Sequence, residues 1–291
     1  MTDQNRTSLL GSVAAVAIGA LVVLAGSDGS WKVGALSVFA ICGALAYAIN
    51  WVVFVPSTLA RTEHYFDLTG SATYVAVTAA ALLLSDDLDA RALIVGAMVF
   101  VWAVRLGSFL FLRVRRAGRD GRFDRIKTDP LRFFMTWTLQ GLWVLLTLAA
   151  ALAIITGVER EPIGWVAAAG MVVWAAGFAI EVIADRQKSV FKRDPANEGR
   201  FISSGLWAWS RHPNYFGEIV LWTGIAVISL PVLEGWRWIA LISPVFVTLL
   251  LTRVSGIPML ERRAEERWGD EEEFRRYTAT TPVLIPRPPR G

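Results

Sequence analysis

Four stretches of this 291-residue chain, residues 7–27, 33–60, 133–158 and 162–180, contain no Asp, Glu, Lys or Arg. Each reaches the roughly 17–25 residues that carry an α-helix across a bilayer. A backbone in hydrocarbon must satisfy its own polar groups, so uninterrupted apolar runs of this length can only be helices. Residues 68–85, 92–112, 215–233 and 236–252 are nearly as apolar, the second interrupted by Arg105. The expected fold is an all-α, polytopic integral membrane bundle of about 7–8 transmembrane helices. The balance of 54% hydrophobic and 19% charged residues agrees, since soluble domains hold about 45–50% and roughly 25%. An ordinary soluble enzyme, a disordered chain and a secreted disulfide scaffold are excluded. Cys42, alone and inside an apolar run, permits neither an intrachain disulfide nor a cysteine metal site. The chain reads as a single membrane domain over 1–291. Residues 7–27 are expected to form an extra N-terminal transmembrane helix rather than a signal peptide, because the uncharged stretch is long and no clean cleavage site precedes Asp28.

Loop charge sets orientation. Residues 113–132 hold eight basic and three acidic side chains, and 185–211 hold six and three. Residues 85–91 instead carry three Asp and one Arg, and 159–161 read Glu-Arg-Glu. The basic loops and the C-terminus are therefore expected in the cytosol. Fourteen bases exceed what orientation needs, which points to an anionic ligand on that side.

Charges inside spans are costly and mark function. Arg105 lies within the fourth helix, about two turns before Arg113. Glu181 and Asp185 share a face at the end of the sixth. Glu218 lies one turn into the seventh, just after Ser210-Arg211-His212-Pro213-Asn214-Tyr215, and Arg253 closes the eighth. Pro213 suits a first helical turn, so Arg211 and His212 stand before a helix N-terminus that presents free N–H groups to an anion. A second cluster, Glu63-His64-Tyr65, packs a carboxylate, an imidazole and a phenol between the second and third helices, with Asp67 as an N-cap. Such groups polarise a ketone or deliver a proton. His64 and His212 lack neighbours at ligand spacing, so no metal site is expected. No Walker loop, GxSxG elbow or GxGxxG turn occurs. The Arg-rich loop, without a soluble domain to carry it, does not point to nucleic acid.

These residues resemble the membrane steroid 5-alpha-reductase family, in its uncharacterised bacterial branch. The likeness rests on Asp185, Lys188, Phe191, Arg200, Gly205-Leu206-Trp207, Ser210 to Tyr215, Gly217-Glu218, Trp222 and a Tyr277…Ile285-Pro286 ending. It extends more weakly through Trp102, Arg105-Leu106-Gly107 and Arg113, and covers about residues 45–290, with 181–290 as the cofactor-binding region. The resemblance implies a bacterial inner-membrane reductase. NADPH held in the bundle passes hydride to the beta carbon of a conjugated enone in a lipophilic steroid, sterol or isoprenoid lipid. Asn214 and Glu218 fall on cofactor contacts. Arg105, Arg113, Asp185, Lys188, Arg200, Arg211, His212, Tyr215 and Arg253 fall on or near others. Glu63 matches the glutamate that holds the ketone, with Tyr65 or Asp67 as alternatives. The family's tyrosine three residues before Arg105 is Trp102 here, whose indole donates one hydrogen bond but supplies no proton. In an apolar setting the Glu63 carboxyl is expected to stay protonated and flank the ketone with Trp102.

Membrane methyltransferases that use S-adenosylmethionine share the Arg-His-Pro-x-Tyr signature and the Tyr…Ile-Pro ending. Their cofactor has one carboxylate and no phosphate, so it does not call for fourteen bases. A non-enzymatic lipid-binding bundle is the third reading.

Overall fold

A computed structural model of the chain describes residues 3–117 and 121–289, with 113–117 and 122 described in backbone alone. Ten α-helices are present among the described residues: α1 Asp3–Gly26, α2 Val38–Leu59, α3 Phe66–Leu84, α4 Ala90–Ala117, α5 Pro130–Thr156, α6 Trp165–Arg193, α7 Pro213–Ser229, α8 Ile242–Leu249, α9 Ile257–Trp268 and α10 Glu272–Thr280. Eight helical segments are long and apolar enough to cross a membrane, so the chain is an all-α integral membrane protein. The only strands described pair Lys32 with Ser37 and Val33 with Leu36.

The chain divides into two compact units, Met1–Ala167 with Ser229–Ser243, and Ala168–Ile228 with Pro244–Gly291. In the first unit α5 is the axis, and α1, α2, α3 and α4 pack on it. Its sequence is apolar all round, the composition of a helix with no solvent or lipid face, and residues from Val144 to Thr156 are buried without a break. Asp129 caps its N-terminus, accepting from Leu131 N at 3.1 Å and Arg132 N at 3.2 Å. α1 belongs to this bundle, for Tyr47 of α2 donates its hydroxyl to Ala15 O at 2.8 Å.

In the second unit α6 and α7 cross at glycines. A methyl at Gly217 would lie 2.6 Å from both Glu181 N and Gly177 O. One at Gly224 would lie 2.5 Å from Trp174 N, and one at Gly170 would lie 2.7 Å from Gly224 O. Two glycines seven residues apart on each helix thus let the backbones touch, the usual device where lipid removes any hydrophobic drive for helix association.

Three sequence expectations are corrected. Residues 185–193 are not loop, because α6 runs on to Arg193. Nothing breaks it before Pro195, and Lys192 and Arg193 suit its C-terminal dipole. Asp67 lies in the first turn of α3 rather than at its cap, where Tyr65 stands. The eighth span is not one regular helix. Residues Gly235–Leu241 are 3₁₀, α8 follows, and Leu250–Val254 form a π segment. Pro244 has no N–H to give the carbonyl four residues earlier, so a continuous α-helix cannot form through it.

Candidate functional site

Within the second unit, the glycine crossing carries the buried carboxylates of α6 to the start of α7. Glu181 is opposite Gly217, and one turn on Asp185 meets Asn214, whose Nδ2 donates to Asp185 Oδ1 at 3.2 Å. Glu181 and Asp185 are buried, and Asn214, Tyr215 and Glu218 are half-buried. Asp185, Asn214 and Glu218, singled out in sequence on separate helices, are thereby brought to one crossing.

The segment 201–212 folds against the far end of α6. Gln187 Oε1 accepts from Leu206 N at 2.9 Å, and Trp207 Nε1 donates to Ala184 O at 3.0 Å. Lys188 Nζ sits 4.2 Å from the Trp207 ring centroid, a cation–π contact. The C-terminal segment closes the other side. Ser210 Oγ donates to Leu284 O at 2.8 Å, Arg211 N to Pro282 O at 2.9 Å, and Tyr277 Oη to Trp207 O at 2.7 Å. Phe201 packs among Trp268, Phe274 and Tyr277.

Arg211 and His212 do not face an open helix end as the sequence suggested. Both are held by Glu261 of α9: Arg211 Nη1 lies 2.5 Å from Oε2 and His212 Nε2 lies 2.7 Å from Oε1. The anion they bind is thus a carboxylate of the chain itself. Burial pushes the His212 imidazole below its ordinary value, against the Glu261 contacts, which raise it. A neutral ring donating Nε2–H to Glu261 keeps its lone pair on Nδ1. That Nδ1 is buried without a partner, and so is the N–H at Arg211 Nε. One buried acceptor and one buried donor on consecutive residues thus lack a partner, and Tyr215 stacks on the imidazole at 5.7 Å.

The remaining expected residues scatter. Arg200 and Arg253 are exposed, the latter on the π segment. In the first unit Arg105 is half-buried, with its guanidinium 5.5 Å from the Phe109 ring. The side chain of Arg113 lies outside the described residues. Glu63 is buried, but it is not the isolated neutral acid expected: Lys127 Nζ lies 2.6 Å from its Oε2, a partner for a carboxylate. Tyr65, two residues on, is 54% exposed and stands on the surface against His64. Trp102 is buried edge-on to Tyr74, ring centroids 5.0 Å apart. Tyr74 is eight residues into α3, about 12 Å along its axis from the end near Glu63.

Of the loop bases, Lys127 is engaged inside the protein by Glu63, Lys188 by Trp207 and Arg211 by Glu261. Glu261 and Lys127 are the residues that sequence reasoning missed. Both stand in runs of mixed charge where no local signal marks them. The seven-residue glycine spacing on α6 and α7 was visible and is the signal that would have aligned the two helices. Among the described residues no cluster of His, Cys, Asp and Glu suits a metal ion.

No solved structure matches the chain significantly. It is 32% identical over 68 residues to "Probable O-methyltransferase ustE" of Ustilaginoidea virens, a stretch that makes up 23% of this chain and 24% of that relative. The chain thus matches about a quarter of that relative's length. Residues 53–281, from the end of α2 through α10, match the family described as "Protein of unknown function (DUF1295)". The match takes in both the α6–α7 crossing and the Glu261 clasp, and the chain belongs to the DUF1295 family.

Proposed function

We propose that this protein is a membrane-embedded NADPH-dependent reductase that saturates a conjugated C=C bond of a lipophilic substrate. The observation that carries the reading is the Asp185–Asn214 contact beside Glu218 at the glycine crossing. It gathers the residues on which the reductase likeness rests most specifically. The donor set fits an adenosine dinucleotide. Arg211 Nε and His212 Nδ1 offer the donor and acceptor that an adenine or ribose edge requires, and exposed Arg186, Arg193 and Arg200 suit phosphate. NADPH supplies the hydride when bound. The chain's own residues bind and orient. Asp185 fixes the Asn214 amide, Glu261 fixes the neutral His212 tautomer, and the buried helix crossing excludes water.

The match to a probable O-methyltransferase favours a second reading, S-adenosylmethionine-dependent methyl transfer. Glu181, Asp185, Glu218 and Glu261 in one unit would suit a sulfonium cation.

Thermal-shift titration of detergent-purified protein separates the two, because a ligand at 100 times its Kd stabilises by about 2.7 kcal/mol. The reductase reading expects stabilisation by NADPH, roughly a hundredfold preference over NADH from charge-assisted contacts to the 2′-phosphate, and deuterium from labelled NADPH in a product lipid. Stabilisation by S-adenosylmethionine alone would establish the second reading. No shift with either would leave a lipid-binding bundle.

A further inference from the structure

The first unit ends, away from its basic loop, in a set of arginines buried beneath acidic loops. Most of them close the C-terminus of α5, whose last carbonyls have no partner within the helix. Arg237 donates to Ala153 O. Arg160 donates from Nη1 to Ile154 O at 2.9 Å and from Nη2 to Ile155 O at 3.3 Å, and Trp31 N donates to Thr156 O at 2.7 Å.

Arg91 is different. It stands in the first turn of α4, is only 1% exposed, and makes one hydrogen bond, Nη2 to Pro162 O at 2.9 Å. Its Nε and Nη1 are buried and have no partner, and Arg160 Nε is in the same condition. Both arginines line one pocket of about 320 Å³ with Asp89, Glu161, Pro162 and Ile163. Folded proteins seldom leave charged donors buried and unmade, because each forfeits its hydration. Three such nitrogens around one pocket describe a site for an oxyanion, and a guanidinium fork is the group that matches phosphate geometry.

The rim narrows the ligand further. Glu161 is exposed and Asp89 half-buried. The lining thus balances two cations with two carboxylates, of which Glu161 is the more exposed, so a purely anionic headgroup would meet repulsion from the acids. A zwitterion with phosphate inward and ammonium outward would meet none. The pocket also lies where the spans of α4 and α6 begin, and exposed Ile163 and Trp165 stand beside it. Tryptophan at that level belongs to the lipid headgroup zone.

We infer that this pocket is a binding site for a phosphoethanolamine-type headgroup, with the phosphate on Arg91 and Arg160 and the ammonium toward Asp89 and Glu161. The site is separate from the residues assigned to the cofactor and does not depend on that assignment.

The test uses the full chain in nonionic detergent, titrated with phosphatidylethanolamine, phosphatidylglycerol and diacylglycerol, and read by thermal shift and by native mass spectrometry of retained lipid. Wild type should bind phosphatidylethanolamine at least tenfold more tightly than phosphatidylglycerol, about 1.4 kcal/mol, and diacylglycerol should give no shift. Arg91→Met should lose headgroup binding. Because that variant also gives up the Pro162 contact and can fail to fold, exposed Glu161→Lys is the deciding one: it should fold normally and reverse the preference toward phosphatidylglycerol. Free phosphoethanolamine that reproduces the full shift would identify a soluble ligand of the same chemistry. A shift with the lipid alone would identify the membrane as its source. Equal stabilisation by all three lipids, or an unchanged preference in Glu161→Lys, would overturn the proposal.

Discussion

Replacing Gly217 by alanine tests whether the α6–α7 crossing builds the site. The new methyl would lie 2.6 Å from Glu181 N and from Gly177 O, where carbon contacts settle near about 3.5 Å. Both neighbours are backbone, so no side chain can swing aside, and the helices must part by roughly 1 Å. Overpacking of this kind costs about 1–3 kcal/mol. The Asp185–Asn214 contact, already 3.2 Å long, would pass out of hydrogen-bonding range. A bond to a charged group is worth about 1.5–3 kcal/mol, so cofactor affinity should fall roughly 10- to 150-fold if Asn214 must be held to bind it. Gly224→Ala is the control. It meets Trp174 N at 2.5 Å, an equal insult two turns further from Asn214. Both variants should melt earlier than wild type in detergent, and Gly217→Ala alone should lose most of the thermal shift with NADPH, or with S-adenosylmethionine if that is the cofactor. Equal cofactor affinity in the two variants would refute the argument, as would wild-type melting of Gly217→Ala.

Asn214→Ala and Glu218→Ala should each abolish turnover in protein that still elutes as a folded species, and normal activity of Glu218→Ala at unchanged cofactor affinity would remove that residue from the site. Lys127→Met should cost about 3 kcal/mol, because it removes the ammonium that lies 2.6 Å from a carboxylate whose side chain is 3% exposed. Adding Glu63→Gln should recover part of that loss, and strictly additive effects in the double-mutant cycle would show that the pair is not coupled. Acid should destabilise the second unit through His212. Its folded value lies below the ordinary 6.5, so as pH falls through that value the unfolded chain takes up a proton that the native one refuses, and stability declines. Melting temperatures from pH 7.5 to 5 should show this slope in wild type and a shallower one in His212→Gln; parallel curves would exclude the imidazole as its source.

The spans were legible because hydrocarbon tolerates so few charges that their absence is nearly a ruler. Asp185, Asn214 and Glu218 were legible for a related reason, as charged or amide groups where apolar ones cost less. What the sequence left open is which groups meet. His212 and Glu261 are 49 residues apart and Lys127 and Glu63 are 64 apart, and any of the surrounding acids or bases would have served as well on composition alone. The path of 185–193 was a separate matter, read as loop because it is charged. A helix that has left the apolar layer can continue in water, and charge by itself does not end it. For Trp102, helical spacing from Arg105 said which helix carries it, and the edge-on contact with Tyr74 of α3 is what the structure adds.

The clasp of the C-terminal segment on Ser210 and Arg211 also bears on how the protein is made. Ser210 waits for a carbonyl 74 residues further along the chain, and His212 for a carboxylate 49 residues on. When α6 and α7 first enter the membrane as a glycine-crossed hairpin, these partners have yet to be translated. The nascent hairpin therefore carries an unclasped arginine and histidine until α9 and residues 282–284 emerge from the ribosome. The second unit, with its candidate site, should thus be the last part of the molecule to mature. A ribosome stalled before residue 261 would leave an inserted bundle with an unfinished site, and binding should appear only after the 282–284 segment has been released.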